Sequence, residues 1–164
     1  MQNIRIIEIP KMKAVFSGPL STEDEFEKVN KWFSDYHASL KCELFPRDFM
    51  WYNERLNVQE WFYALPQNAD LSQITDYEIV DLPSGLYAVA SCLDADLDNA
   101  QDWLSTREEI INWVKESDKF EVYVNEDGIE EKYPMFHIVS PGWLIPKGIS
   151  IENLYIPIKL KKSW

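Results

Sequence analysis

The sequence predicts an α+β fold: two strand–helix–strand–strand units forming a pseudo-two-fold antiparallel sheet, with two long helices on one face. Three observations predict it. Glu8-Ile9-Pro10 and Ala14-Val15-Phe16-Ser17 return, one spacer residue longer, as Asp81-Leu82-Pro83 and Ala88-Val89-Ala90-Ser91. Each copy is followed by an acidic stretch with helical spacing. Each then closes on similar wording, Gln59-Glu60-Trp61-Phe62-Tyr63-Ala64 and Ile151-Glu152-Asn153-Leu154-Tyr155-Ile156. Self-similarity at a fixed offset reports architecture before any motif does. Repeat 1 covers about 1–68 and repeat 2 about 74–164 of one 164-residue domain. A seam between such repeats is where a ligand groove is expected.

Asn3–Ser17 reads as a strand bent at Pro10 and stopped by Gly18-Pro19. Thr22 and Glu25 make a capping-box pattern. Phe26, Val29, Phe33, Tyr36 and Leu40 follow at helical spacing, so a helix is expected over about Glu23–Leu40. Asp48–Tyr52 and Gln59–Leu65 read as strands around a turn. Polar Asn68–Ile74 connects the halves.

Tyr77–Cys92 is the second opening strand, interrupted at Pro83-Ser84-Gly85. Ala100, Trp103, Leu104, Ile110, Ile111 and Val114 give a helix over about Asp98–Glu116. Phe120–Val124 is a short strand, and Asn125–Gly128 a turn. Pro134–Val139 and Leu154–Leu160 are the last strands, with Pro141–Gly148 a loop between them.

The bulk numbers narrow the function classes. The net charge of −12 lacks the basic footprint that binding nucleic acid requires, and disfavours anionic membrane surfaces. It suits a cationic ligand, or a protein partner with a basic surface. Cys42 and Cys92 form no CxxC, so free thiols and a cytoplasmic location are expected. Met1–Pro10 carries Arg5 and Glu8 and no long apolar core, which argues against a secretory signal. No apolar run is long enough to span a membrane. Neither the two His nor the two Cys make a metal set, and no hydrolase or phosphate-loop motif is present. No cofactor is expected.

Gly85-Leu86-Tyr87-Ala88-Val89, the helix with Trp103 and Trp113, Pro134-Met135-Phe136-His137 and Leu154-Tyr155-Ile156-Pro157-Ile158-Lys159 together resemble the GyrI-like effector-binding domains. That family also supplies the C-termini of AraC-type and MerR-type drug-responsive regulators. The resemblance covers nearly the whole chain. It implies a groove between the repeats that takes drug-like, often cationic and aromatic, molecules. The first strand opens almost at once, leaving no room for a helix-turn-helix, so a stand-alone binding protein is expected. The family also implies two alternatives: hydrolysis of strained electrophilic compounds of the cyclopropanoid type, and inhibition of gyrase by an acidic interaction module. Catalysis is not the leading expectation, and no catalytic residue is assigned. Two positions depart from the family pattern. His137 and Asn153 stand where the family has acids, which weakens the case for strong selectivity toward cations.

Alternation sorts the site candidates. Leu154, Ile156 and Ile158 form the apolar face of the closing strand, leaving Asn153, Tyr155 and Pro157 toward the groove. By the repeat, Trp61 and Tyr63 take the matching places in the first half. The expected ligand-binding set is therefore Trp61, Tyr63, His137, Asn153 and Tyr155, with Trp51 and Trp143 at the rim. Ligand lining and plain packing are both open for Trp61 and Tyr63. Glu60 and Glu152 occupy matching places in the repeat and are expected to point away from the groove. His37 is expected to be a solvated helix residue.

Overall fold

The computed structural model describes residues 3–41, 47–94, 101–140 and 142–162. The sequence readings for Cys42, Asp98, Ala100, Pro141 and Ser163-Trp164 lie outside those residues. Among the described residues the fold is α+β, with nine strands and two α-helices. The pairings within the two units described below are all antiparallel.

The chain forms two compact units, and its opening strands are divided between them. One unit is Lys11–Leu82; the other joins Met1–Pro10 to Pro83–Trp164. The opening segment is not one bent strand but two, β1 (Arg5–Ile9) and β2 (Lys13–Leu20). The second opening segment likewise divides into β5 (Glu78–Asp81) and β6 (Gly85–Asp94). β1 pairs with β6, from Arg5 opposite Val89 to Ile9 opposite Gly85. β5 pairs with β2, from Lys13 opposite Asp81 to Phe16 opposite Glu78. Each repeat thus gives its first strand to the other repeat's unit. Pro10 and Pro83 mark the two crossing points, where a missing N–H ends a ladder without cost.

In the Lys11–Leu82 unit the strand order is β3-β4-β2-β5, with β3 at Asp48–Asn53 and β4 at Val58–Ala64. β2 runs through Gly18-Pro19 instead of stopping there. Its register with β4 slips between Phe16 and Pro19, and Gly18 takes a φ of 72° that a side chain disfavours. The bulge turns the Ser17 hydroxyl to accept the Trp61 N–H at 2.8 Å. α1 (Glu23–Ser39) starts on the expected capping box: Thr22 Oγ1 accepts the Glu25 N–H, and Glu25 returns to the Thr22 and Ser21 N–H groups. Val29 and Phe33 of α1 pack with Val15, Leu20, Tyr63, Leu65 and Ile74 into one core.

In the other unit the order is β1-β6-β9-β8, with β8 at Met135–Ile138 and β9 at Ser150–Leu160. β7 (Phe120–Val122) pairs with the far end of β9. β9 begins upstream of the expected strand, and the expected loop before it holds a 3₁₀ turn at Gly142–Lys147. α2 (Gln101–Glu116) lays Ile110 and Val114 on Ala88, Ala90, Leu154, Ile156 and Ile158. Alternation had placed those β9 residues there. No described helix is long and apolar enough to cross a membrane.

Candidate functional site

Three of the sequence candidates meet on one sheet face. In β9, Leu154, Ile156 and Ile158 take the face covered by α2, so Asn153, Tyr155 and Pro157 take the opposite face. The pairing then sets rows across the sheet. Arg5, Val89, Tyr155 and Met135 stand in one row; Ser91, Asn153 and His137 stand in the next. The Ser91 hydroxyl donates to Asn153 Oδ1 at 2.6 Å. That fixes the Asn153 amide, two residues from Tyr155 on the same face of β9. Tyr155 is only 6% exposed and meets the Tyr87 ring edge-on at 6.3 Å. Burial raises the Tyr155 pKa, while Asn153 and the Arg5 charge pull the other way. His137, on β8, is half-buried. Buried rings thus stand beside a polar row on this face.

Trp61 and Tyr63 do not lie on the corresponding face. Both pack beneath α1: Trp61 meets Phe33 edge-on at 5.3 Å, and Tyr63 lies 5.4 Å from both Phe33 and Tyr36. The Trp61 indole donates to Asp48 Oδ2 at 2.9 Å. Tyr63 is 1% exposed, and its hydroxyl shares a 2.8 Å hydrogen bond with His37 Nδ1. The solvated role expected for His37 is corrected as well, since its ring ties α1 to the sheet. The cause of the first error is a one-residue slip in the repeat. Alternation is period two, so a slip of one exchanges the faces.

The same slip hid Glu60. With Trp61 and Tyr63 under α1, Glu60 and Phe62 take the other face of β4, the face Asn153 and Tyr155 take in their own unit. Glu152, its supposed equivalent, shares the Leu154 side of β9. Glu60 is 4% exposed. Its Oε2 accepts from Trp51 Nε1 at 2.6 Å and from Asn53 Nδ2 at 3.1 Å. Asn53 is oriented by the Leu56 N–H, which its Oδ1 accepts at 3.2 Å. Trp51 stands edge-on to Phe62 at 4.8 Å, and Phe62 stacks on Phe16 at 4.9 Å. Trp51, expected at a rim, is thus a buried partner of a buried acid. The sequence held one sign of this: an acid whose same-face neighbours in the strand, Val58 and Phe62, are both apolar.

Trp143 is 63% exposed in its 3₁₀ turn, with Lys147 Nζ 4.9 Å from its ring centre. Among the described residues no cluster of His, Cys, Asp and Glu could hold a metal. A solvent-open depression along α1, between Asp24, Glu27, Lys28 and Lys31, is the outer face of a charged helix.

No protein-family model and no curated protein matches the chain. Solved structures do. A crystal structure of a hydrolase from Listeria innocua matches 96% of this chain and 92% of its own at 12% identity, with a TM-score of 0.63. The EcmrR C-terminal domain matches 97% of this chain and 98% of its own at 8% identity, with a TM-score of 0.58. SAV2435, solved bound to tetraphenylphosphonium, matches 96% and 94% at 10% identity, with a TM-score of 0.53. At these identities the likeness is one of fold.

Proposed function

We propose that this chain is a small-molecule-binding protein of the GyrI-like effector-binding type, taking an aromatic or amphipathic compound. The observation that carries the reading is the row of Ser91, Asn153 and His137, with Tyr155 in the neighbouring row, on the face of β6, β9 and β8 away from α2. The polar row offers directed hydrogen bonds beside the buried rings of Tyr155 and Tyr87. A few oriented polar groups beside aromatic walls suit a flat ligand with one polar edge. The shared fold with SAV2435, whose structure holds tetraphenylphosphonium, supports a ligand of that size.

The test is a titration of the protein with a panel of planar aromatic compounds, charged and neutral, followed by tryptophan fluorescence and calorimetry. Saturable binding that weakens about tenfold in Tyr155→Ala, the loss of roughly 1.4 kcal/mol, is expected. A panel with no saturable member would sink the proposal.

The hydrolase neighbour favours a second reading, in which His137 and Tyr155 serve proton transfer to a strained electrophile. Turnover of such a compound, lost in His137→Ala and in Tyr155→Phe, would replace binding as the function. Turnover untouched by both changes would exclude that mechanism.

A further inference from the structure

The face of β1, β6, β9 and β8 that carries Ser91, Asn153 and His137 presents no Asp or Glu among the described residues. The chain has 28 acids against 16 lysines and arginines, so such a face stands apart from the rest of the surface. Alternation accounts for it strand by strand. Leu86, Ala88 and Ala90 of β6 and Leu154, Ile156 and Ile158 of β9 pack with α2. Glu8 is opposite Leu86, Asp94 is four residues from Ala90, and Glu152 is two from Leu154, so all three acids take the α2 side. The charges left on the opposite face are cations, Arg5 on β1 and Lys159 near the far end of β9.

Lys159 is taken by Glu121 of β7 at 3.6 Å, and the loop acid Glu130 is met by Lys132 at 3.5 Å. Arg5 is exposed and forms no ion pair among the described residues. It stands opposite Val89, in the row of Tyr155 and diagonal to Ser91. Its charge is felt at Tyr155: burial raises that pKa, and Arg5 is one of the groups that pull it back. The neutral polar groups add donors. The Ser91 hydroxyl occupies Asn153 Oδ1, so what remains of the amide is its Nδ2 donor, and His137 brings an imidazole N–H. A guanidinium matches a carboxylate with two parallel N–H···O bonds. The net charge of −12 opposes an anion only at long range, because salt screens exposed charges beyond about 8 Å.

We propose that this face binds an aromatic carboxylate, with Arg5 as the specificity-determining residue that pairs with the carboxylate at the β1 edge. Asn153 and His137 lie further along the same face as donors to the rest of the ligand. The inference rests on the small-molecule reading above and adds the sign of the ligand's charge.

Three probes of matched ring decide it: naphthoate, naphthamide and naphthylmethylammonium, titrated calorimetrically into the full chain. Naphthoate should bind about threefold to tenfold more tightly than naphthamide, the range of an Arg–carboxylate pair at an exposed site. The ammonium probe should bind most weakly. Arg5→Met keeps an apolar stem and removes the charge, so it should bring naphthoate level with naphthamide. Arg5→Lys should restore part of the preference. A readout in the unaltered protein covers a variant that fails to fold. The Arg5 Nε–H resonance, assigned through its own backbone connectivities, should shift with naphthoate at saturation and not with naphthamide.

Equal affinities for naphthoate and naphthamide would overturn the proposal and leave the small-molecule reading standing. Tightest binding by the ammonium probe would do the same, as would a naphthoate preference that survives in Arg5→Met. A silent Arg5 resonance also counts against it. If no naphthyl probe binds, the proposal falls, and the planar panel shows whether the small-molecule reading falls with it.

Discussion

Replacing Trp51 by Phe isolates the support that Glu60 receives. The substitution keeps a ring beside Phe62, which Trp51 meets edge-on at 4.8 Å, and removes the Nε1 donor 2.6 Å from Oε2. A hydrogen bond to a charged group is worth about 1.5–3 kcal/mol, and its loss is felt in full when the charge stays buried. The smaller ring forfeits roughly another 0.5–1 kcal/mol of packing. Trp51→Phe should therefore cost about 2–4 kcal/mol. The decisive comparison is a double-mutant cycle with Glu60→Gln. In the Trp51→Phe background a neutral amide is cheaper to leave short of a donor than a carboxylate. The second change should then recover about 1 kcal/mol, having been destabilising on its own. Urea unfolding monitored by circular dichroism supplies the midpoints, with equal slopes confirming that only stability has moved. Two results would refute the reasoning: a Trp51→Phe cost below about 0.5 kcal/mol, or Glu60→Gln costs that add without coupling.

Two further outcomes follow from local geometry. Gly85 has φ +125°, and a Cβ there would lie 3.0 Å from Lys132 Nζ, which donates to the Ser84 carbonyl and lies over the Tyr123 ring. Gly85→Ala should cost about 2–4 kcal/mol by urea midpoint, mostly backbone strain, with only a minor part relieved by Lys132→Met. Tyr87 is fully buried, and its hydroxyl donates to the Pro83 carbonyl at 2.9 Å; burial first, then Glu130 and Tyr123, push its ionisation well above the ordinary phenol range. The unfolded chain therefore ionises first, so stability present at neutral pH declines as pH rises past about 10. Tyr87→Phe should show a flatter decline between about pH 9 and 11, and a slope equal to that of the parent would count against the assignment.

The sequence made α1 legible because capping and packing signals agree there: Thr22 and Glu25 fix the start, and Val29 and Phe33 keep one face. The faces of β9 were legible because Leu154, Ile156 and Ile158 alternate cleanly with Asn153 and Tyr155. β4 has no such contrast. Trp61 and Tyr63 on one side, and Phe62 and Ala64 on the other, are all apolar, so period two carries no direction there. Alignment by the shared Glu then chose the wrong face, burying Glu60 from view and promoting Trp61 and Tyr63. His37 was missed because its partner, Tyr63, is distant in sequence. Strand exchange was hidden for the same reason. Pro10 and Pro83 announce a break, but a break does not say which ladder the freed strand joins.

That exchange makes Lys11–Leu82 an insertion within the other unit's chain. Its two ends are tied by its own bonds: the Leu82 N–H reaches the Met12 carbonyl at 2.9 Å, and Lys13 meets Asp81 at 2.8 Å. Just beyond them, Ile9 and Gly85 are ladder partners in the other unit. While the insertion is unfolded, bringing Ile9 to Gly85 closes a flexible loop of about 70 residues, at a cost of about 4 kcal/mol. Once the insertion folds, that closure is already made. Folding of one unit thus raises the stability of the other through connectivity alone, and the two share a melting transition that independent halves would not have.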